Sequence, residues 1–155
     1  MTPDSAFRSP PDSAFRSPRE DSAASVMSKD YLAFPEDLKV SEAIQKIRLL
    51  AETGLPYSYI YVIHPDGRLA GVLNMRDMLL ARPESRLGEV MRKEIFSLPA
   101  EMDREQVARE LTERRFFAVP VVDKKNVLLG VVRAEELLRG MQEEASEDIQ
   151  KMFGA

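Results

Sequence analysis

The chain has 155 residues, with 26 acidic and 22 basic side chains, a formal net charge of −4 and no cysteine. Its length allows one compact domain of roughly 100–150 residues plus a tail. The basic residues are interleaved with acids, which argues against nucleic acid, because phosphate binding needs a contiguous basic stripe. The lack of cysteine excludes disulfides, thiolate nucleophiles and zinc sites of the cysteine type.

Residues 3–10 and 11–18 are an identical duplication, PDSAFRSP. Four prolines with Ser and Asp in so short a span predict a disordered tail, with Phe7 and Phe15 more readily part of a spacer than of a docking peptide. Neither this polar segment nor the strand-sized apolar runs Tyr57 to Ile63 and Phe116 to Val122 resemble a signal peptide or the roughly 20 residues that cross a bilayer. The expectation is a soluble, cytoplasmic chain without direct membrane insertion.

Tyr31 to Phe34 reads as a short extended piece ended by Pro35. Val40, Ala43, Ile44, Ile47 and Leu50 then recur at helical spacing, and Gly54 and Pro56 stop the helix. Tyr57 to Ile63 reads as a buried strand, His64-Pro65-Asp66-Gly67 as a turn, and Leu69 to Leu73 as a second strand. Met75 to Ala81 begins a closing helix halted by Pro83. The plan then repeats. Ile95 to Leu98 is extended, and Asp103 is the expected N-cap of a helix, with Gln106 three residues on and Val107, Ala108 and Leu111 on its buried face. Ala118 to Val122 and Val127 to Val132 form a hairpin that turns near Lys125 and Asn126.

Val26/Val90, Met27/Met91, Lys29/Lys93 and Pro35/Pro99 align at one offset, and Val62/Val121, Leu69/Leu128, Gly71/Gly130 and Leu79/Leu138 at another. The first copy therefore carries about five more residues near Ala51 to Pro56. Each copy is too short to bury a core alone, so two β-α-β-β-α units packed with pseudo-two-fold symmetry are predicted, with a ligand cleft between them. The boundaries are residues 1–25 for the tail and linker, 26–84 and 85–141 for the repeats, and 142–155 for an acidic C-terminal helix.

The repeated unit, with its apolar-P-V-V-D strand (Val119 to Asp123) and the following G-V-L-x-x-x-D and G-V-V-x-x-x-E stretches, resembles the cystathionine-β-synthase (CBS) domain. The doubled arrangement resembles the tandem CBS pair, or Bateman module. Glu20 to Met27 is similar to the E-D-S-A-G-x-x-M segment that enters the CBS pair of MgtE-type magnesium transporters. Glu143 to Met152 is similar to the E-E-A-T-E-D-I-Q-K segment that leaves it. The resemblance implies a cytosolic regulatory module that senses Mg²⁺ and controls a transmembrane pore, joined in the full-length family member to a helical N-terminal domain. It also implies a homodimer formed through the CBS pair. A free-standing adenine-nucleotide sensor and a purely structural dimerisation domain are the competing readings.

On a helix, Glu144, Glu147 and Asp148 lie at i, i+3 and i+4 and share a face, with Glu136 two turns earlier near the same side. Mg²⁺ takes few carboxylates and keeps its waters, so a partly hydrated acidic face suits it, although a plain solvated face has the same pattern. Arg115 and Arg139 stand where the family commonly places metal-binding acids. The resemblance further implies ATP or another adenine nucleotide between the repeats. Asp77 would meet the ribose hydroxyls, the backbone of Ala118, Val119 and Pro120 the adenine edge, Tyr59 or Phe116 the ring, and Arg76 the phosphate. Asn74 and Arg133 replace the Ser or Thr common three residues before the ribose acid, and Glu136 replaces the second Asp, so one nucleotide site centred on Asp77 is expected. The single histidine, His64, lies in a turn and no catalytic motif is present, which predicts that the chain is not an enzyme.

Overall fold

The computed structural model describes residues 21–51, 59–137 and 139. Two three-stranded sheets carry the fold. In the first, β1 (Leu32–Pro35) runs parallel to β2 (Tyr59–Ile63), and β3 (Leu69–Asn74) returns antiparallel to β2. In the second, β4 (Leu98–Pro99) is parallel to β5 (Ala118–Val122), and β6 (Leu128–Arg133) is antiparallel to β5. The predicted α/β repeats are thus present. Their registers coincide in detail: Val62 faces Gly71 as Val121 faces Gly130, and both hairpins carry an irregularity one residue later.

The helices are α1 (Ala23–Val26), α2 (Val40–Ala51), α3 (Met75–Leu80), α4 (Leu87–Val90) and α5 (Arg104–Arg114), and residues 134–137 are helical after β6. The predicted strand from Tyr57 is seen from Tyr59, because Tyr57 and Ser58 lie outside the described residues, as do residues 1–20, the rest of 52–58, and residues 138 and 140–155. Asp103 occupies the N-cap of α5 as expected, yet its side chain makes no cap hydrogen bond. Gln106 does not close a capping box; it accepts from Arg109 at 2.8 Å and donates to Glu110 at 3.4 Å along the exposed helix.

The leader segments are exchanged between the repeats. The backbone N–H groups of Ala23 and Ala24 donate to the carbonyls of Met102 and Ala100 at 2.8 and 3.0 Å, which seats α1 on the second repeat. Those of Leu87 and Gly88 donate to Leu38 and Glu36 at 2.9 and 2.8 Å, which seats α4 on the first. Ala23 accordingly belongs to the core of Leu98, Val107, Leu111, Val119, Val121 and Val132, whereas Leu87 belongs to that of Val40, Ile60, Val62, Leu73 and Met78. Four-residue helices show no usable apolar period, so the sequence reading contained neither α1 nor α4.

A third cluster lies between the sheets, formed by Tyr61, Leu69, Val122, Leu128 and Val131. The two hairpin turns also clasp one another. Leu69 donates to the Asn126 carbonyl at 2.9 Å, and its counterpart Leu128 donates to the Gly67 carbonyl at 3.2 Å. Gly67 and Asn126 occupy equivalent positions with φ of 90° and 68°. Glycine has no steric objection there, and asparagine is among the few side-chain-bearing residues that tolerate it.

Where each exchanged segment crosses the opposite sheet there is no room for a side chain. Ser28 and Val131 exchange two backbone hydrogen bonds at 2.7 and 2.9 Å, and Arg92 and Val72 exchange two at 2.9 and 3.0 Å. A Cβ added to Gly130 would lie 2.6 Å from the Met27 sulfur and 2.9 Å from the Ser28 carbonyl oxygen, and one added to Gly71 would collide with Met91 and the Arg92 carbonyl. Methionine can shift, but the carbonyl belongs to a hydrogen-bonded backbone. Gly130→Ala and Gly71→Ala are each expected to destabilise the fold by about 1–3 kcal/mol, measured by urea unfolding. Substitution of the open-turn Gly67 by Asn, the residue already used at the equivalent turn, should cost far less.

Candidate functional site

The cleft between the repeats is built from three sources. β2 and β3 contribute Tyr59, Tyr61, Val72 and Asn74; the stretch entering the second sheet contributes Arg92, Glu94, Ile95 and Phe96; and Phe116 with the start of β5 contributes Ala118, Val119 and Pro120. They enclose about 250 Å³. Pro120 helps to shape this space. A proline has no N–H to offer a ladder, and β4 pairs with β5 only at Val121 and Val122, whereas β1 pairs with β2 from Leu32 to Pro35. The residues before Leu98 are therefore outside the ladder, and Ile95 and Phe96 turn to line the cavity.

Six of the eight residues expected at a nucleotide site, Tyr59, Asn74, Phe116, Ala118, Val119 and Pro120, are brought together here. Arg76 and Asp77 do not line the cavity. Arg76 is exposed on the first turn of α3. Asp77 lies behind Asn74 and Arg92. Its backbone N–H donates to Asn74 Oδ1 at 2.7 Å, and its carboxylate accepts from the Asn74 N–H at 3.4 Å, forming a capping box at the start of α3. The same carboxylate accepts from Arg92 Nε at 3.0 Å and from Arg92 Nη2 at 3.2 Å. The Arg92 guanidinium, aided by the Asn74 N–H, holds the Asp77 carboxyl below the ordinary carboxylate range.

Part of the lining is aromatic. Phe96 and Phe116 stack with ring centroids 5.7 Å apart, and the Arg114 guanidinium covers Phe96 at 4.0 Å from its centroid. Tyr61 is almost fully buried, and burial raises its phenol well above the usual value. The result is an apolar and aromatic slot with one cation, Arg92, and one anion, Glu94, at its lining. Such a slot suits a flat heteroaromatic ring carrying an anionic substituent.

The equivalent place on the other side of the pseudo-two-fold axis is built differently. Tyr31 and Tyr61, the counterparts of Ile95 and Pro120, meet edge-on with centroids 6.2 Å apart, and Arg133, the counterpart of Asn74, donates to the Asp30 carbonyl. The side chains at the opposite place are therefore larger, with Tyr for Pro120 and for Ile95 and Arg for Asn74.

Of the metal candidates, Glu136 is exposed just after β6, and Glu144, Glu147 and Asp148 lie outside the described residues. Among the described residues, no group of three or more His, Asp or Glu is placed to hold a metal ion. Arg139 pairs with Glu135 at 2.9 Å. His64 is part of the predicted turn and stands 2.5 Å from Glu36 Oε2, at the ends of the neighbouring strands β1 and β2. Sequence reasoning missed Arg92, Glu94, Ile95 and Phe96. Their signal was slight: the V-M-x-K alignment places Arg92 opposite Ser28, a change of charge between otherwise matching positions.

Comparison with known proteins agrees with this architecture. The family model of the CBS domain matches residues 23–84 and again 87–143. The magnesium transporter MgtE of Thermus thermophilus is 36% identical over 133 residues, and that of Bacillus subtilis is 36% identical over 131 residues. These matches take in 86% and 84% of this chain but only 30% and 29% of the transporters, so the chain spans under a third of their length. The solved cytosolic domain of the Mg²⁺ channel MgtE in complex with ATP superposes with a TM-score of 0.72 at 35% identity, covering 78% of this chain and 49% of that one. Among the described residues, no helix is long and apolar enough to cross a membrane. With two matched units, interlocked leaders and a cleft between the sheets, the chain belongs to the CBS-domain family, as a tandem CBS pair.

Proposed function

We propose that this CBS pair is the cytosolic regulatory part of an MgtE-like magnesium transporter, where it senses intracellular Mg²⁺ and controls the gate of a pore. The observation that carries this reading is the identity of 36% to two such transporters across more than four-fifths of the chain. Its role is binding and movement rather than catalysis. Carboxylates gathered on one surface repel, and a divalent cation relieves that repulsion when two acidic surfaces meet. Glu136 together with Glu144, Glu147 and Asp148 supplies such a surface in this proposal, and the helical N-terminal domain and the pore of a full-length protein would be its partners. A second copy of the chain is a further partner. Leu49, Leu79, Leu80 and Phe117 are each at least 70% exposed, and large apolar side chains left at the surface are available for association.

A second ligand, an adenine nucleotide, is favoured by the cleft. Its aromatic wall, the strand edge at Ala118 to Pro120 and the cationic Arg92 match the ring and phosphate of such a molecule, and the solved relative at 35% identity was crystallised with ATP. A free-standing CBS pair sensing this nucleotide for another protein is the alternative reading.

Thermal unfolding at fixed ionic strength separates the two ligands. Mg²⁺ at about 100 times its dissociation constant should add about 2.7 kcal/mol, or on the order of 10 °C. The double variant Glu144→Gln, Glu147→Gln should lose this shift and keep the shift with ATP. A Mg²⁺ response that survives the double variant would remove the acidic C-terminal segment from the reading. Asp77→Ala should weaken the ATP shift and leave the Mg²⁺ shift unchanged; if both shifts fell together, the two ligands would share one coupled site.

A further inference from the structure

The Asp77 carboxylate, which a ribose would need, is already engaged, and its partner Arg92 is a residue of the cleft wall. The inference below rests on the nucleotide reading of the cleft. We propose that Arg92 is a latch that sets the ligand class: its guanidinium holds Asp77 in the free protein and passes to the phosphate of an incoming nucleotide, so that the cleft selects nucleoside phosphates over nucleosides.

Four observations carry the proposal. The pair is bidentate, with Nε and Nη2 of Arg92 on the two oxygens of Asp77, and is therefore directional. The two ends differ in freedom. The Arg92 side chain is 65% exposed, whereas that of Asp77 is 21% exposed and tied into the capping box with Asn74. The Arg92 main chain is clamped by two hydrogen bonds to Val72 and by the close passage of Met91 over Gly71, so only its side chain can swing. Finally, the cavity of about 250 Å³ falls just below the roughly 300–1,000 Å³ usual for small-molecule sites, and a departing guanidinium would enlarge it.

Charge balance explains the selection. A nucleoside that took Asp77 would strip Arg92 of its anion and offer only neutral hydroxyls in return. A nucleoside phosphate supplies a replacement anion, so one charge-assisted pair is exchanged for another while the ribose gains the released carboxylate. The opposite half of the module has no such device, because Ser28 stands at the position equivalent to Arg92 and Glu136 at that of Asp77.

The test is calorimetric titration of the full chain with adenosine, AMP and ATP, for the natural sequence and for Arg92→Gln and Arg92→Lys. The natural protein should bind AMP and ATP about tenfold to a hundredfold more tightly than adenosine. Arg92→Gln should collapse that ratio by weakening the phosphates while leaving adenosine binding equal or stronger, because Asp77 is then free. Arg92→Lys, which keeps the charge but not the fork, should fall between them and serves if the glutamine variant does not fold. A ratio unchanged in both variants, or adenosine bound by the natural protein as tightly as AMP, would overturn the latch and leave the nucleotide reading standing. Binding of none of the three would overturn both.

Discussion

The structure depends on an exchange. Each repeat completes its core with the segment that precedes the other, and each exchanged segment crosses a sheet at a glycine with a methionine laid over it. At about 60 residues, a repeat standing by itself would be of marginal stability. Swapping the leaders makes the two cores one cooperative object, because unfolding either repeat removes Ala23 or Leu87 from the other. The backbone bonds between Ser28 and Val131 and between Arg92 and Val72 add one strand-like contact on each side, and the reciprocal clasp of the hairpin turns holds the two sheets in register.

The same exchange makes the cleft. Arg92 is carried onto β3 by the leader of the second repeat, and from there its side chain faces both Asp77 and the space between the sheets. Ile95 and Phe96 follow it because Pro120 limits the pairing of β4. A ligand in the cleft would touch β2, β3, the crossing segment and β5 together, so its binding energy would act on the relative position of the repeats rather than on one of them.

Symmetry sets the scaffold and its breaches set the chemistry. Ile95 and Pro120 line the cleft where their counterparts Tyr31 and Tyr61 meet edge-on, and Asn74 caps a helix where Arg133 reaches across to Asp30. Arg92 opposite Asp77 puts an ion pair where the other half has Ser28 and Glu136. These departures from the repeat lie at the cleft, while the hairpin registers and bulges and the left-handed turns at Gly67 and Asn126 are held in common.

Much of this was open to reading from residues alone. The apolar runs at Ile60 to Ile63 and Val119 to Val122, the turns at Gly67 and Asn126 and the heptad-like spacing from Val40 to Leu50 follow from local rules, since alternation, glycine conformation and helical period are properties of short stretches. The duplication disclosed the pseudo-symmetry and a cleft between the repeats, and the resemblance to CBS pairs named Tyr59, Phe116 and Ala118 to Pro120 as its lining. What only the tertiary structure decided was the exchange of α1 and α4, the arrival of Arg92, Glu94, Ile95 and Phe96 at the cleft, and the engagement of Asp77 by a cation 15 residues away. Those outcomes depend on where a segment crosses a distant sheet, and a sequence carries no local record of that except the glycine that leaves the room.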